Sequence, residues 1–113
     1  MAKGFVRHID DYKDVGEGYV IRDPEGEVTE SNIVTVKKGE STAPGCHSNE
    51  EEYYFVYSGA AEVTLNGKNH IVKKNDFIFI PRNCEHSVKC ISDEDFIYLC
   101  VAIYLDRKPA PIE

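Results

Sequence analysis

The chain has 113 residues, of which 13 are basic and 20 acidic, for a net charge of −7; 42% are apolar, 11% are aromatic and none is Trp. That length makes one domain, able to bury roughly two-thirds of its unfolded surface without disulfide or metal staples. A negative balance with no basic stripe excludes nucleic acid and anionic membrane as partners, because both need clustered Lys and Arg.

No apolar run reaches the length of a membrane-spanning helix, and the opening "MAKGFVRHIDDYK" lacks the apolar core of a signal peptide. The expected location is the cytoplasm. Cys46, Cys84, Cys90 and Cys100 show no CxxC spacing, so free thiols, some of them buried, are the expectation.

Taken in chain order, helical periodicity is nearly absent and short β-rich runs recur. They are Gly18–Arg22, Val28–Lys37, Tyr53–Tyr57, Ala61–Leu65, His70–Lys73, Phe77–Ile80, Ser87–Ile91 and Phe96–Leu105. Turn chemistry separates them at Asp23-Pro24-Glu25-Gly26, Lys38-Gly39, Pro44-Gly45, Asn66-Gly67, Lys74-Asn75-Asp76 and Pro81-Arg82-Asn83. Regular short strands with such punctuation predict an all-β sandwich or barrel, antiparallel throughout. The sharpest local signal is "AEVTLNGKNHIV". Asn66-Gly67 suits a two-residue type I′ turn, and Ala61, Val63 and Leu65 alternate with Glu62 and Thr64 before it.

The last run, "FIYLCVAIYL", is apolar on both faces. A half-exposed strand alternates, so this one requires a cover on each side. A second subunit is the expected outer cover, making the protein a homodimer; a packed N-terminal segment would serve as well. Residues 106–113, "DRKPAPIE", are expected to form an exposed tail.

Two spacings stand out against this background. Gly39, Gly45, His47, Glu52 and Gly59 follow the pattern G-x5-H-x-H-x4-E-x6-G, with Gly45 where its first histidine falls. Asn75, Pro81, Asn83, His86 and Cys90 follow G-x5-P-x-G-x2-H-x3-N, matching at Pro81 and His86. These frames, at residues 39–59 and 75–90, resemble the two motifs of the cupin superfamily, over roughly residues 30 to 105. The resemblance implies a single domain over residues 1–113 with the double-stranded β-helix, or jelly-roll, barrel. Asn75 and Asn83 stand where the family has glycines, and Asn is the non-glycine residue that best tolerates left-handed backbone.

In that family four side chains hold one divalent metal ion: two histidines and the glutamate of the first motif, and the histidine of the second. Here the resemblance leaves His47, Glu52 and His86, with Glu51 as the fallback carboxylate and Glu50 and Glu51 otherwise in solvent. His47 and Glu52 are an odd number of residues apart, so a straight strand would point them to opposite faces and Ser48–Glu51 must bend. Glu52 then shares a face with Tyr54 and Val56, and His86 shares one with Val88 and Cys90. Two imidazoles and a carboxylate with open positions suit Fe(II), Zn, Ni or Mn. Tyr54, Phe79, Cys90 and Tyr98 are candidate pocket residues, Cys84 lies within reach of the site mouth, and Tyr54 and Glu51 are candidate general bases.

Two functions follow from the resemblance. One is a metal-dependent enzyme of dioxygenase, isomerase or lyase type acting on a small polar molecule, such as a sugar derivative or organic acid. The other is a non-catalytic binding or sensing cupin, which the missing histidine at Gly45 favours. The sequence identifies neither the metal nor the reaction.

Overall fold

The computed structural model describes residues 4–11, 19–20 and 26–109. Eight strands build it: β1 (Tyr19–Val20), β2 (Thr29–Val36), β3 (Glu50–Ser58), β4 (Ala60–Leu65), β5 (Lys68–Lys73), β6 (Phe77–Ile80), β7 (His86–Cys90) and β8 (Phe96–Tyr104). A single 3-10 turn, Ile9–Asp11, is the one helical element among the described residues. None of their helices is long and apolar enough to cross a membrane. The strands form two antiparallel sheets, one ordered β1-β2-β8-β3-β6 and the other β5-β4-β7. This is the antiparallel double sheet that the strand spacing implied, arranged as the jelly roll that the family resemblance implied.

The pleat decides what goes inside. Along β3, Glu52, Tyr54 and Val56 are buried; along β7, His86, Val88 and Cys90; along β8, Phe96, Tyr98, Cys100 and Ala102. These inner faces meet Ala61, Val63 and Val72 of the smaller sheet in one core, where Phe96 and Val56 are wholly shielded. Truncating a shielded Phe in such a core costs about 3–5 kcal/mol.

The turns take the conformations their residues permit. Asn66 and Gly67 both have positive φ (48° and 80°), as a type I′ turn needs. Asn75 (φ 74°) and Asn83 (φ 64°) hold the left-handed backbone that glycine would otherwise supply. Pro44-Gly45 differs from expectation, because it does not turn. It runs extended beside β7, with bridges from Ser41 to Lys89 and from Gly45 to His86. The edge of β7 supplies unpaired backbone groups, and pairing with them outweighs the local turn preference. The acidic run also departs from the reading. The bend is confined to Ser48-Asn49, and Glu50, Glu51 and Glu52 already belong to β3. The strand expected at Gly18–Arg22 appears as Tyr19–Val20, with its other residues outside those described. Within the tail, Asp106–Pro109 is exposed, although Asn49 donates to the Asp106 carboxylate at 3.3 Å; 110–113 lie outside the described residues.

Gly59 and Gly39 share a φ of 78° yet sit in different surroundings. A Cβ on Gly59 would lie 2.5 Å from the Asp95 carbonyl oxygen, whereas one on Gly39 meets nothing within 4 Å. Each Gly→Ala change carries about 1–2 kcal/mol of left-handed strain. Gly59→Ala adds a backbone clash, so its melting temperature should fall well below that of Gly39→Ala. Equal losses in the two variants, measured by thermal denaturation, would contradict this packing.

Candidate metal centre

The site is assembled by backbone pairing before any side chain acts. Gly45 and His86 exchange both amide hydrogen bonds, each 2.9 Å, and the Asn83 amide donates to the His47 carbonyl at 2.6 Å. These ties clamp the segment before β3 onto the turn before β7. From β3, Glu52 faces the same interior. Its partners in register are Ile80 on β6 and Ala102 on β8. Ala102 presents no bulk there, which leaves the carboxylate room.

One ligand atom each from His47, Glu52 and His86 lies within 4.8 Å of the others. Glu52 Oε1 stands 3.3 Å from His86 Nε2 and 3.6 Å from His47 Nε2. The imidazole rings are tilted at 46° with centroids 5.3 Å apart.

Hydrogen bonds on the far side of each ring set its tautomer. His86 Nδ1 lies 3.0 Å from the Cys84 carbonyl oxygen, which can only accept, so Nδ1 carries the proton. His47 Nδ1 lies 3.1 Å from Glu50 Oε1, and the same reasoning applies. A neutral ring in that tautomer turns an Nε2 lone pair inward, and both histidines are oriented to do so. The third inward atom, Glu52 Oε1, is buried and has no hydrogen-bond partner. Three acceptors face one another across a small gap. Such a group wants a cation between its members, because an unmatched buried acceptor is costly.

The other oxygen of Glu52 is satisfied. The Cys100 thiol donates to Glu52 Oε2 at 3.1 Å. Burial works against the Glu52 charge, but the attraction of His86 in its protonated form and the Cys100 hydrogen bond outweigh it, and the carboxyl is held below its ordinary value. His86 is raised, chiefly by Glu52, against the opposing effect of burial. Burial, followed by the charge of Glu52, pushes the Cys100 thiol far up, so it remains a donor. Glu50 is raised by burial and by the neighbouring Glu52, with His47 opposing.

The candidate residues divide by layer. Tyr54 and Tyr98 do face the interior, with rings stacked 4.3 Å apart, and Tyr54 sits directly below Glu52 on its strand. Burial holds the Tyr54 hydroxyl well above its ordinary range, so it stays protonated and is no general base near neutrality. Phe79 is not in the pocket. It points outward, 41% exposed, against Tyr53, because Ile78 and Ile80 take the inner face of β6. Cys90 faces inward at the wrong end of the barrel. It lies four residues along β7 from His86, about 13 Å at strand rise, and its thiol donates to the Glu94 carbonyl at 3.4 Å. The Cys84 thiol is buried in the core, and only its carbonyl serves the site. Glu51 has the outward parity of β3, opposite Ile103, whereas Glu50, expected in solvent, turns in to His47. Glu50 and Cys100 are the contributors that sequence reasoning missed. The even spacing of Glu50 from Glu52 was the available signal for the first.

Gly45 leaves the remaining side of the group open. A Cβ there would lie 3.6 Å from His86 Nε2 and 3.9 Å from His47 Nε2, in ordinary contact. Its φ is not among the positive ones, so neither backbone nor packing demands a glycine.

An antiparallel double sheet with a histidine–carboxylate group in its interior defines a jelly-roll barrel built around a small polar site. Residues 32–102 match the profile of the Cupin domain family. The chain belongs to that family. Among curated proteins it is 31% identical over 86 residues to a mannose-1-phosphate guanylyltransferase of Klebsiella pneumoniae, covering 75% of this chain and 18% of that one. The chain thus spans under a fifth of that relative. Among solved structures it is similar to an uncharacterized conserved protein with a double-stranded beta-helix domain from Klebsiella pneumoniae subsp. pneumoniae MGH 78578. There the TM-score is 0.75 at 19% identity, over 91% of this chain and 87% of that one. A predicted oxalate decarboxylase from Thermotoga maritima matches with a TM-score of 0.66 at 25% identity, over 70% and 69% of the two chains.

Glu50 and Cys100 hold His47 and Glu52 through their outer atoms, and removing such partners from metal-binding side chains typically weakens metal affinity by about 10–100-fold. Glu50→Gln and Cys100→Ala should each do so, read by competition with a chromogenic chelator. Unchanged affinity in both would mean that these contacts do not support the site.

Proposed function

We propose that the chain binds one divalent cation through His47, Glu52 and His86 and acts as a metal-dependent enzyme on a small, oxygen-rich polar molecule, an organic acid or a sugar derivative. One observation carries the reading: three inward acceptors, among them the partnerless Glu52 Oε1, separated by 3.3 and 3.6 Å from the two Nε2 atoms. Ligands bound at about 2.0–2.2 Å to one ion lie about 2.8–3.1 Å apart in an octahedral and about 3.3–3.6 Å apart in a tetrahedral arrangement, so small side-chain shifts suffice. The donor set of two imidazoles and one carboxylate suits Fe(II), Mn, Ni or Zn. Bound there, the ion would polarise an oxygen of the substrate as a Lewis acid.

The protein's own residues do the rest. Glu50 and the Cys84 carbonyl hold the imidazoles in the ligating tautomer. Cys100 leaves Glu52 one oxygen to offer, and the Tyr54 hydroxyl below it remains protonated. Gly45 adds no side chain beside the metal ligands, which would leave a small molecule room on that side. The similarity to a predicted oxalate decarboxylase supports an organic acid, and that to a mannose-1-phosphate guanylyltransferase supports a sugar derivative. A second reading, a non-catalytic binding cupin, rests on Gly45 itself, because the side chain that would complete a four-ligand site is missing.

Metal content per chain, measured after reconstitution with Fe(II), Mn(II), Ni(II) and Zn(II), tests the site. Wild type and Glu51→Ala should take up one equivalent, while Glu52→Ala and His86→Ala should take up little. Retention by Glu52→Ala with loss in Glu51→Ala would shift the ligand by one residue. Turnover of organic acids and sugar derivatives by the loaded protein then separates enzyme from binding module.

The pH dependence has opposite signs with and without metal. Without metal, the raised His86 contributes stability that is complete below its ordinary value of 6.5 and lost as pH rises through its higher folded value. With metal the imidazole must be neutral, so stabilisation grows over the same interval. Glu52, held below its ordinary 4.5, stays ionised throughout. Melting temperatures of the two forms should therefore diverge as pH rises through and above 6.5. Parallel curves would argue against a metal-bound histidine.

A further inference from the structure

Strands β2 and β8 build one side of the candidate metal centre without supplying a ligand to it. In register, Glu30 on β2, Ala102 on β8 and Glu52 on β3 form one row, and Tyr104 pairs with Glu50 in the next. Residues opposite one another in such rows share a face of the sheet. The hydrogen bond from the Tyr104 hydroxyl to Glu30 Oε1 joins the two rows on that face. Strands stand about 4.8 Å apart, so the Glu30 and Glu52 backbones are about 10 Å apart, with only the methyl group of Ala102 between them. Glu52 Oε1, nine-tenths buried and partnerless, marks where this side meets the ligand group.

These side chains offer acceptors and few donors. Tyr104 engages one oxygen of Glu30 and His47 one oxygen of Glu50, which leaves each carboxylate a second oxygen able to accept. Cations do not balance them. The inward positions of β2, β3, β6, β7 and β8 hold no Lys or Arg. Lys68 has inward parity but is exposed at the start of β5, two strands from His86. Arg107 stacks on the Tyr104 ring, 3.6 Å from its centre, at the exposed rim. A divalent ion brings two charges against the three carboxylates, so the filled centre is net negative.

We propose that the molecule bound there is neutral and polyhydroxylated, an unphosphorylated sugar or a polyol, and that Glu30 selects against carboxylates and phosphate esters, an inference that rests on the metal centre proposed above. Hydroxyl groups supply the donors that the second oxygens of Glu30 and Glu50 lack. An anion supplies none, and it sets like charges together in a half-buried place where water screens them poorly. Tyr104 is a positioning residue: burial, then the bond to Glu30, keeps its proton in place, so it always presents a donor to Glu30. Rejection by an unmatched charge discriminates more sharply than a small gain in contact area would.

The test titrates the whole chain, loaded with Mn(II) and with metal content measured in every sample, with glycerol and with glycerate. The two probes differ by one carboxylate, and paramagnetic broadening of their protons gives each dissociation constant. A metal ion alone favours the anion, so the informative quantity is the change in the ratio of the two constants between variants. Glu30→Gln keeps the shape and an acceptor for Tyr104 but removes the charge. It should bind glycerate about tenfold more tightly and glycerol about threefold more weakly. Tyr104→Phe leaves the charge and loosens its position, so it should weaken glycerol without tightening glycerate. Glu62→Gln, on the outer face of the smaller sheet, should change neither. An unchanged ratio in Glu30→Gln at full metal content would overturn the selection by Glu30 and leave the metal centre standing. The same shift in Glu62→Gln would mean a general charge effect and overturn it too. Wild type that takes up no metal would instead remove the metal centre, and the selection with it. A carboxylate or phosphate ester as the best substrate in a turnover screen would also overturn the proposal.

Discussion

Everything at the site depends on one backbone pairing. Gly45 and His86 exchange two amide hydrogen bonds, and the Asn83 amide binds the His47 carbonyl, so two segments some 40 residues apart in sequence become neighbours at fixed register. Register is decisive in a pleated structure, because a slip of one residue turns every side chain to the opposite face. With that pairing set, His86 points inward above Val88, and the bend at Ser48-Asn49 lets both His47 and Glu52 point inward too. The left-handed backbone at Asn83 aims the amide that closes the clamp.

The interior built on this frame is apolar in its lower layers and polar at one end. Phe96, Val56 and the stacked Tyr54 and Tyr98 fill the lower layers, while Glu52 and His86 are the buried charged or polar side chains among the described residues. Burying a carboxylate is costly unless it is matched. Cys100 answers for one Glu52 oxygen and His86 attracts the other without aligning a hydrogen bond to it. That residual mismatch is what makes the end of the barrel chemically poised. The outer partners all act from behind: Glu50 and the Cys84 carbonyl accept from the Nδ1 atoms of His47 and His86, and the Cys100 thiol donates to Glu52. Farther out, the Tyr104 hydroxyl donates to Glu30, extending the polar end toward β2.

The same pleat that turns Glu52, Tyr54 and Val56 inward also turns an aromatic and aliphatic surface outward on the larger sheet. Strand β8 is central to it, paired with β2 on one side and β3 on the other. Its inner residues line the core and its outer residues, Leu99 and Val101, join the exposed rows. The two-sided apolar character of this run follows from its place in the sheet.

The sequence by itself determined the all-β class, most strand positions, the Asn66-Gly67 hairpin and the alternation along β3, β7 and β8. Those features are local: a period of two and a turn residue's allowed φ are legible without neighbours. The spacing of His47, Glu52 and His86 was also legible through its family resemblance. Tertiary structure decided the rest. Phe79, a candidate pocket residue, belongs to a run, Phe77–Ile80, that is apolar at every position, and such a run does not say which face is buried; the core took Ile78 and Ile80. Cys90 was placed on the correct face but in the wrong layer, because parity fixes the face and says nothing of depth along a strand. Cys100 lies 48 positions from Glu52, and only the pairing of β3 with β8 brings its thiol to that carboxylate. Pro44-Gly45 runs straight because the free edge of β7 was there to pair with. Local rules write the strands; which atoms then meet across the barrel is set by long-range register, which no short stretch of the chain contains.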